Sequence, residues 1–117
     1  MLPRAQRLKS AQFNHAFANS QSVRHRLVAL KSHRRDDDCD EVRAAFVVPK
    51  KQAKAVGRNR TRRRLRERYR LHPRRDELNG YDLIFLSTPA THNATAAELD
   101  DALNEVLRRT KRQLSPK

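Results

Sequence analysis

The segment Val42–Leu71, VRAAFVVPKKQAKAVGRNRTRRRLRERYRL, sets the topology of this chain. Val42–Val48 is nearly all apolar, the pattern of a strand buried on both faces. Pro49 stops that strand because it has no N–H to give to a ladder. After the basic run KKQAKAVGRN, residues Ala55–Leu71 read as a helix that Pro73 ends. Asn79-Gly80 is a turn signal, and Tyr81–Ser87 (YDLIFLS) is another strand, again apolar on both faces. Strand, helix and strand in that order predict a parallel pair joined by a crossover.

Towards the N-terminus, Lys9–Asn19 reads as a short amphipathic helix, with Phe13, Ala16 and Phe17 on one face. Val23–His33 reads as extended. Arg34–Asp40 is a charged loop, expected as the tip of a hairpin leading into Val42–Val48. Towards the C-terminus, Thr95 and Glu98 form a capping-box pattern. In the helix it opens, Leu99, Leu103, Val106, Thr110 and Leu114 run down one side. The tail after Leu114 is expected to be disordered. These elements predict an α+β fold in the order α-β-β-β-α-β-α. The expected body is a small two-layer sandwich, a mixed sheet of about four strands with three helices. There are no internal repeats. One domain is expected over residues 1–117, with an ordered core over about 7–113 and flexible termini.

Composition narrows the partners. Of the 117 residues, 37% are hydrophobic, and 27 Lys+Arg face 13 Asp+Glu for a net charge of +14. A domain this small with that charge repels itself and calls for a polyanion, of which nucleic acid is the usual one. Membrane anchoring needs a second, apolar signal, and no apolar run approaches a transmembrane helix. The N-terminal MLPRAQRLKS is basic but lacks the apolar core of a signal peptide. The single Cys39 has no internal disulfide partner, which fits a reducing cytoplasm.

Arg58–Arg70, RNRTRRRLRERYR, holds eight Arg and one Glu in thirteen residues. On a helix, Thr61, Leu65 and Tyr69 stack into a narrow stripe that can pack on a sheet. Asn59, Arg63, Arg66 and Arg70 share another face, with Arg62 at its border and Arg58 and Arg60 near the helix start. Like charges one turn apart weaken a helix by a few tenths of a kcal/mol per pair. One Glu does not neutralise eight Arg, so an external anion is expected to relieve the repulsion. The planar guanidinium fork suits phosphate and also stacks on bases. A solvated face would mix both signs, and a membrane or calmodulin-type helix would carry a broad apolar face.

With these residues in view, KKQAKAVGRNRTRRRLRE resembles the signature of the bacterial ribonuclease P protein family. The match runs through Lys50, Lys51, Lys54, Ala55, Val56, Arg58, Asn59, Arg60, Arg62, Arg63, Arg66 and Glu67. RLKSAQFNHAF resembles the family's N-terminal helix, and YDLIFLSTPA its strand followed by Pro. The likeness in order and spacing covers about residues 7 to 112. It implies a left-handed crossover around the arginine helix, against the usual handedness. It implies that Lys50, Lys51, Lys54, Arg58, Asn59, Arg60, Arg62, Arg63, Arg66 and Arg70 face a catalytic RNA. It also implies a cleft between the sheet and the N-terminal helix for the single-stranded 5′ leader of precursor tRNA, with Phe13, Phe17 and Lys31 in it. Lys31 stands where the family often has an aromatic, so an electrostatic contact to the leader backbone replaces stacking there. Gln52-Ala53 replaces the small Gly that often follows the Lys-Lys pair.

The implied activity is that of a subunit of an RNA-based endonuclease that matures tRNA 5′ ends. No catalytic side chain, cofactor or metal is expected on the protein itself, and Mg²⁺ is expected to enter through the RNA. The partners are the catalytic RNA and precursor tRNA, with no membrane and no small-molecule substrate. Other readings stay open on the residues alone. Phe13 and Phe17, at helical spacing, fit a core better than an RNA-stacking platform, and the family resemblance brings the two readings level. Asp36, Asp37, Asp38, Asp40 and Glu41 read as a solvated tip, since they lack the Gly and spacing of a calcium loop. The five histidines show no paired metal spacing. A ribosomal RNA scaffold shares the composition but not the ordered R-N-R motif. A helix-turn-helix protein would need a helix where Val42–Pro49 reads as strand.

Overall fold

A computed structural model of the chain describes residues 10–34, 42–75 and 77–114. Three helices and four strands follow one another: α1 Ser10–Ala18, β1 Gln21–Arg24, β2 Val28–Arg34, β3 Arg43–Val47, α2 Ala55–Arg70, β4 Tyr81–Ser87 and α3 Ala96–Leu114. Short 3-10 turns occupy Lys50–Gln52 and Pro89–Asn93. The strands form one mixed sheet in the order β1-β2-β4-β3. β3 and β4 are parallel, and the other neighbours are antiparallel. The expected α+β architecture is therefore the observed one.

β4 lies inside the sheet because its sequence is apolar towards both faces. Leu83 and Phe85 point into the main core, while Ile84, between them, points to the other face, and all three are fully buried. Opposite Phe85 stand Leu30 of β2 and Phe46 of β3. The rings of Phe46 and Phe85 stack at 5.2 Å, and Tyr69 of α2 leans on Phe85 at 5.0 Å. Thr61, Leu65 and Tyr69 are the buried residues of α2, as their spacing predicts. The Tyr69 hydroxyl donates to the Arg75 carbonyl at 2.8 Å, so its polar end is satisfied.

α3 packs beside α2 on the same face and covers β1 and β2. Leu99, Leu103, Val106 and Thr110 are buried as expected, joined by Ala102 and Leu107. Its capping box closes in both directions: Glu98 accepts from the Thr95 N–H at 2.8 Å, and Thr95 Oγ1 accepts from the Glu98 N–H at 3.1 Å. The opposite face of the sheet carries α1, which rests on β2 and β4. Ala16 of α1 and Ile84 are both fully buried. At Asn79-Gly80 the expected turn forms, with Gly80 at φ +88°.

Three local expectations change. The extended segment Val23–His33 is two strands, broken by a tight turn at residues 25–27. The His25 N–H donates to the Val28 carbonyl at 2.9 Å, and His25 Nδ1 accepts from the Leu27 N–H at 3.0 Å. A side chain thus makes the turn, without the Gly, Pro or Asn that would announce one. The second change concerns the hairpin expected around Arg34–Asp40. Residues 35–41, including Cys39 and the acidic run, lie outside the described residues. The strands they connect are not partners, because β4 lies between β2 and β3. Third, β4 takes the central place and is buried towards both faces, whereas β3, expected to be buried on both faces as well, lies at the sheet edge and alternates half-buried and buried residues.

Candidate nucleic-acid interface

β3 ends at the 3-10 turn that carries Lys50 and Lys51, both exposed. Lys54 follows as the N-cap of α2; no side chain caps this helix start, and its first turn holds no acid. The free N–H groups and the positive end of the helix dipole therefore add to three lysines. Anions are favoured at such a place. Val56, in the same turn, is 82% exposed, an apolar side chain set among cations.

Along α2 the arginines divide into two sets. Arg60 and Arg63 are exposed and Arg66 is half-buried. None of the three makes a hydrogen bond or ion pair among the described residues. Nearby, Arg62 donates to Asn59 Oδ1 at 2.9 Å, and Arg58 reaches the Ala53 carbonyl at 3.5 Å. Arg70 pairs with Glu67 at 2.9 Å, and that guanidinium holds the Glu67 carboxyl below its usual range. The other set turns inward. Arg68 grips Asp100 of α3 with two hydrogen bonds, at 2.7 and 2.9 Å. Arg64 donates to the Ala94 carbonyl just before α3. Two of the eight arginines thus fasten the helix, and neither is among the residues expected to meet RNA.

A polar strut holds the lysine turn against the arginine helix. Gln52 donates to the Ser87 carbonyl at 3.1 Å, and the Ser87 hydroxyl donates back to Gln52 Oε1 at 2.6 Å. His92 Nε2 lies 3.2 Å from the same Oε1, so Nε2 carries the proton. His92 Nδ1 is then free to accept from the Thr61 hydroxyl, 2.8 Å away. Sequence reading missed Gln52 and His92. Their partners lie 31 to 40 residues away, and no local pattern marks them.

The second site lies on the α1 face of the sheet. Phe13 and Phe17 stack with ring centres 5.7 Å apart and planes 28° apart. Phe13 is half-buried, and Phe17 is 41% exposed, so the pair is a core edge and an open platform together. Lys31 of β2 places Nζ 4.7 Å from the Phe17 ring centre and 3.1 Å from Ser22 Oγ. The three residues expected in a cleft therefore meet. Beside Lys31 opens a cavity of about 310 Å³ with Ala29 and Leu86 as apolar lining and Arg24 at its side. An apolar floor with a cationic wall suits a single strand, whose bases stack while its phosphates seek charge. No cluster of metal-ligating side chains occurs among the described residues, and no described helix is long and apolar enough to cross a membrane.

The Ribonuclease P family model matches residues 2–111. The chain belongs to that family. It is 41% identical over 110 residues to the ribonuclease P protein component of Gluconacetobacter diazotrophicus, covering 93% of this chain and 94% of that one. It is 31% identical over 101 residues to the component from Clostridium botulinum, covering 86% and 89%. The fold is similar to that of the Staphylococcus aureus RNase P protein, with TM-score 0.79, 26% identity, and 92% and 97% of the chains covered. Membership in the ribonuclease P family places the chain in tRNA processing, as part of a ribonucleoprotein enzyme.

Proposed function

We propose that this chain is the protein subunit of a ribonuclease P holoenzyme, binding both the catalytic RNA and the 5′ leader of precursor tRNA. One observation carries the reading. The protein has two separate cationic surfaces of different chemistry, one on each side of its sheet. The first is a guanidinium and lysine surface whose Arg60, Arg63 and Arg66 find no anion among the described residues. It suits a folded RNA, which presents a dense phosphate surface. The second combines stacked Phe13 and Phe17 with Lys31, a composition suited to a single strand.

In this reading the protein contributes binding rather than bond cleavage. Hydrolysis of the phosphodiester belongs to the RNA and to the Mg²⁺ ions it holds. The cations of α2 screen repulsion between two polyanions, and the cleft extends the substrate site onto the leader. Cleavage of precursor tRNA by the partner RNA at low Mg²⁺, with and without this protein, tests the reading. The protein is expected to lower the Mg²⁺ requirement and to favour precursor over mature tRNA. Unaltered processing by the partner RNA defeats it.

A further inference from the structure

We propose that the groove between the edge strand β1 and the C-terminal end of α3 is a second phosphate track. It would carry leader nucleotides onward after they leave the cleft. The inference rests on the leader-binding role proposed above. Its substance is a continuous path. Ser22 and Arg24 line the cavity beside Lys31, and the same two residues line a second cavity of about 420 Å³. Arg109, Arg112 and Gln113 of α3 form its far wall. A strand leaving the cleft across β1 therefore meets three guanidinium groups in succession.

Their charges are available. Arg109 donates to the Arg24 carbonyl at 2.8 Å, which fixes its guanidinium and leaves its remaining N–H groups to face the groove. Arg24, Arg109 and Arg112 are all exposed and form no ion pair within 4.0 Å among the described residues, although Glu105, paired with Arg108, also feels the charges of Arg109 and Arg112. Neighbouring cations on the same helix are neutralised: Arg108 by Glu105 at 2.9 Å and Lys111 by Glu77 at 3.1 Å. Arg112 does complement the negative end of the α3 dipole. That role needs no second arginine one turn earlier aimed along a strand edge. Among the described residues β1 pairs only with β2, so its other edge borders the groove. Val23 gives the groove an apolar floor, but the rest of its lining is charged or polar, and its three guanidinium groups suit the phosphate backbone of a single-stranded RNA.

The test uses the reconstituted holoenzyme and precursors whose leaders are lengthened one nucleotide at a time. Wild type should gain affinity in two phases, first as the cleft fills and then as the groove fills. In the R109A/R112A double variant the first phase should stand and the second should vanish, a loss of about tenfold for the longest leaders. The slope of log affinity against log salt should fall by about 2 for long leaders only. R109K/R112K, which keeps both charges, should retain most of the second phase. R112A alone keeps the bond from Arg109 to Arg24 and guards against misfolding; it should lose part of that phase while the protein still unfolds in one cooperative transition, its melting temperature lowered only slightly by the lost helix-end charge. Equal losses for short and long leaders, or none for either, overturn the groove. A wild-type holoenzyme indifferent to any leader overturns instead the leader-binding reading beneath it.

Discussion

Arg68 and Asp100 join α2 to α3 through a two-pronged ion pair, with Nε–Oδ1 at 2.7 Å and Nη2–Oδ2 at 2.9 Å. Both side chains keep roughly a third of their surface in water, at 34% and 39%. Such a pair is worth about 1 kcal/mol, because good geometry is offset by solvent screening. R68A should therefore lower unfolding free energy by about 1 kcal/mol in urea titrations and leave the salt dependence of RNA binding intact. R63A should do the reverse. Its side chain has no described partner, so stability should stay within about 0.5 kcal/mol. The salt slope of RNA association should fall by about 1. If both variants lose stability and keep the slope, the outward arginines are structural.

The strut from Thr61 through His92 to Gln52 makes a second prediction. H92A removes one partner from the Thr61 hydroxyl, itself almost fully buried, and one from Gln52. Leaving a buried polar group unsatisfied costs about 1–3 kcal/mol. The loss should show in thermal melts, and T61A/H92A should cost less than the sum of its single changes. Strict additivity would show that the two side chains do not act together.

Legibility in the sequence followed the range of the interactions. The stripe of Thr61, Leu65 and Tyr69 was readable because helical period alone places all three on one side. β4 was readable because YDLIFLS is apolar at both parities. The Thr95–Glu98 capping box was readable because its partners are three residues apart. Partners distant in sequence left no such trace. Nothing local shows β4 entering between β2 and β3, or Arg68 meeting an acid 32 residues later. The turn at His25 carries no Gly, Pro or Asn to mark it, because the His25 imidazole closes it by accepting the Leu27 N–H. Phe13, Phe17 and Lys31 were placed together by family likeness, whereas the spacing of the two rings alone favoured a core.

Acid should weaken the fold in two steps. His72 is 8% exposed, and burial pushes its pKa below the ordinary 6.5, with nearby Asp100 acting the other way. A histidine with a depressed folded pKa binds fewer protons folded than unfolded. Its contribution is therefore complete above 6.5 and is lost as pH falls below that value. Glu77 is held below its ordinary 4.5 first by Lys111 and then by Arg74, and Glu98 by the Thr95 backbone. Their contributions persist above 4.5 and are lost in more acidic solution. Urea midpoints measured across pH should be level from about pH 8 to 7, then decline in those two ranges. H72Q should flatten the upper decline and spare the lower one. An upper decline unchanged in H72Q would show that His72 is not its cause.

Phe17 and Phe85 make opposite demands on a phenylalanine. Phe85 is fully buried between Phe46 and Tyr69, whereas Phe17 is 41% exposed beneath the Lys31 ammonium. F85A should cost about 3–5 kcal/mol, the range for emptying a core aromatic site. F17A should cost about 1 kcal/mol or less, because part of its ring is already in water and the exposed cation–π contact is worth about 0.5–1 kcal/mol. On RNA the order should invert. A base stacked on Phe17 contributes about 1–3 kcal/mol, so F17A should weaken holoenzyme binding of leader-bearing precursor and leave mature tRNA unchanged. Mature tRNA lacks the leader and never reaches the platform. An F17A protein that melts as early as F85A, or that loses precursor and mature tRNA equally, would return Phe17 to the core.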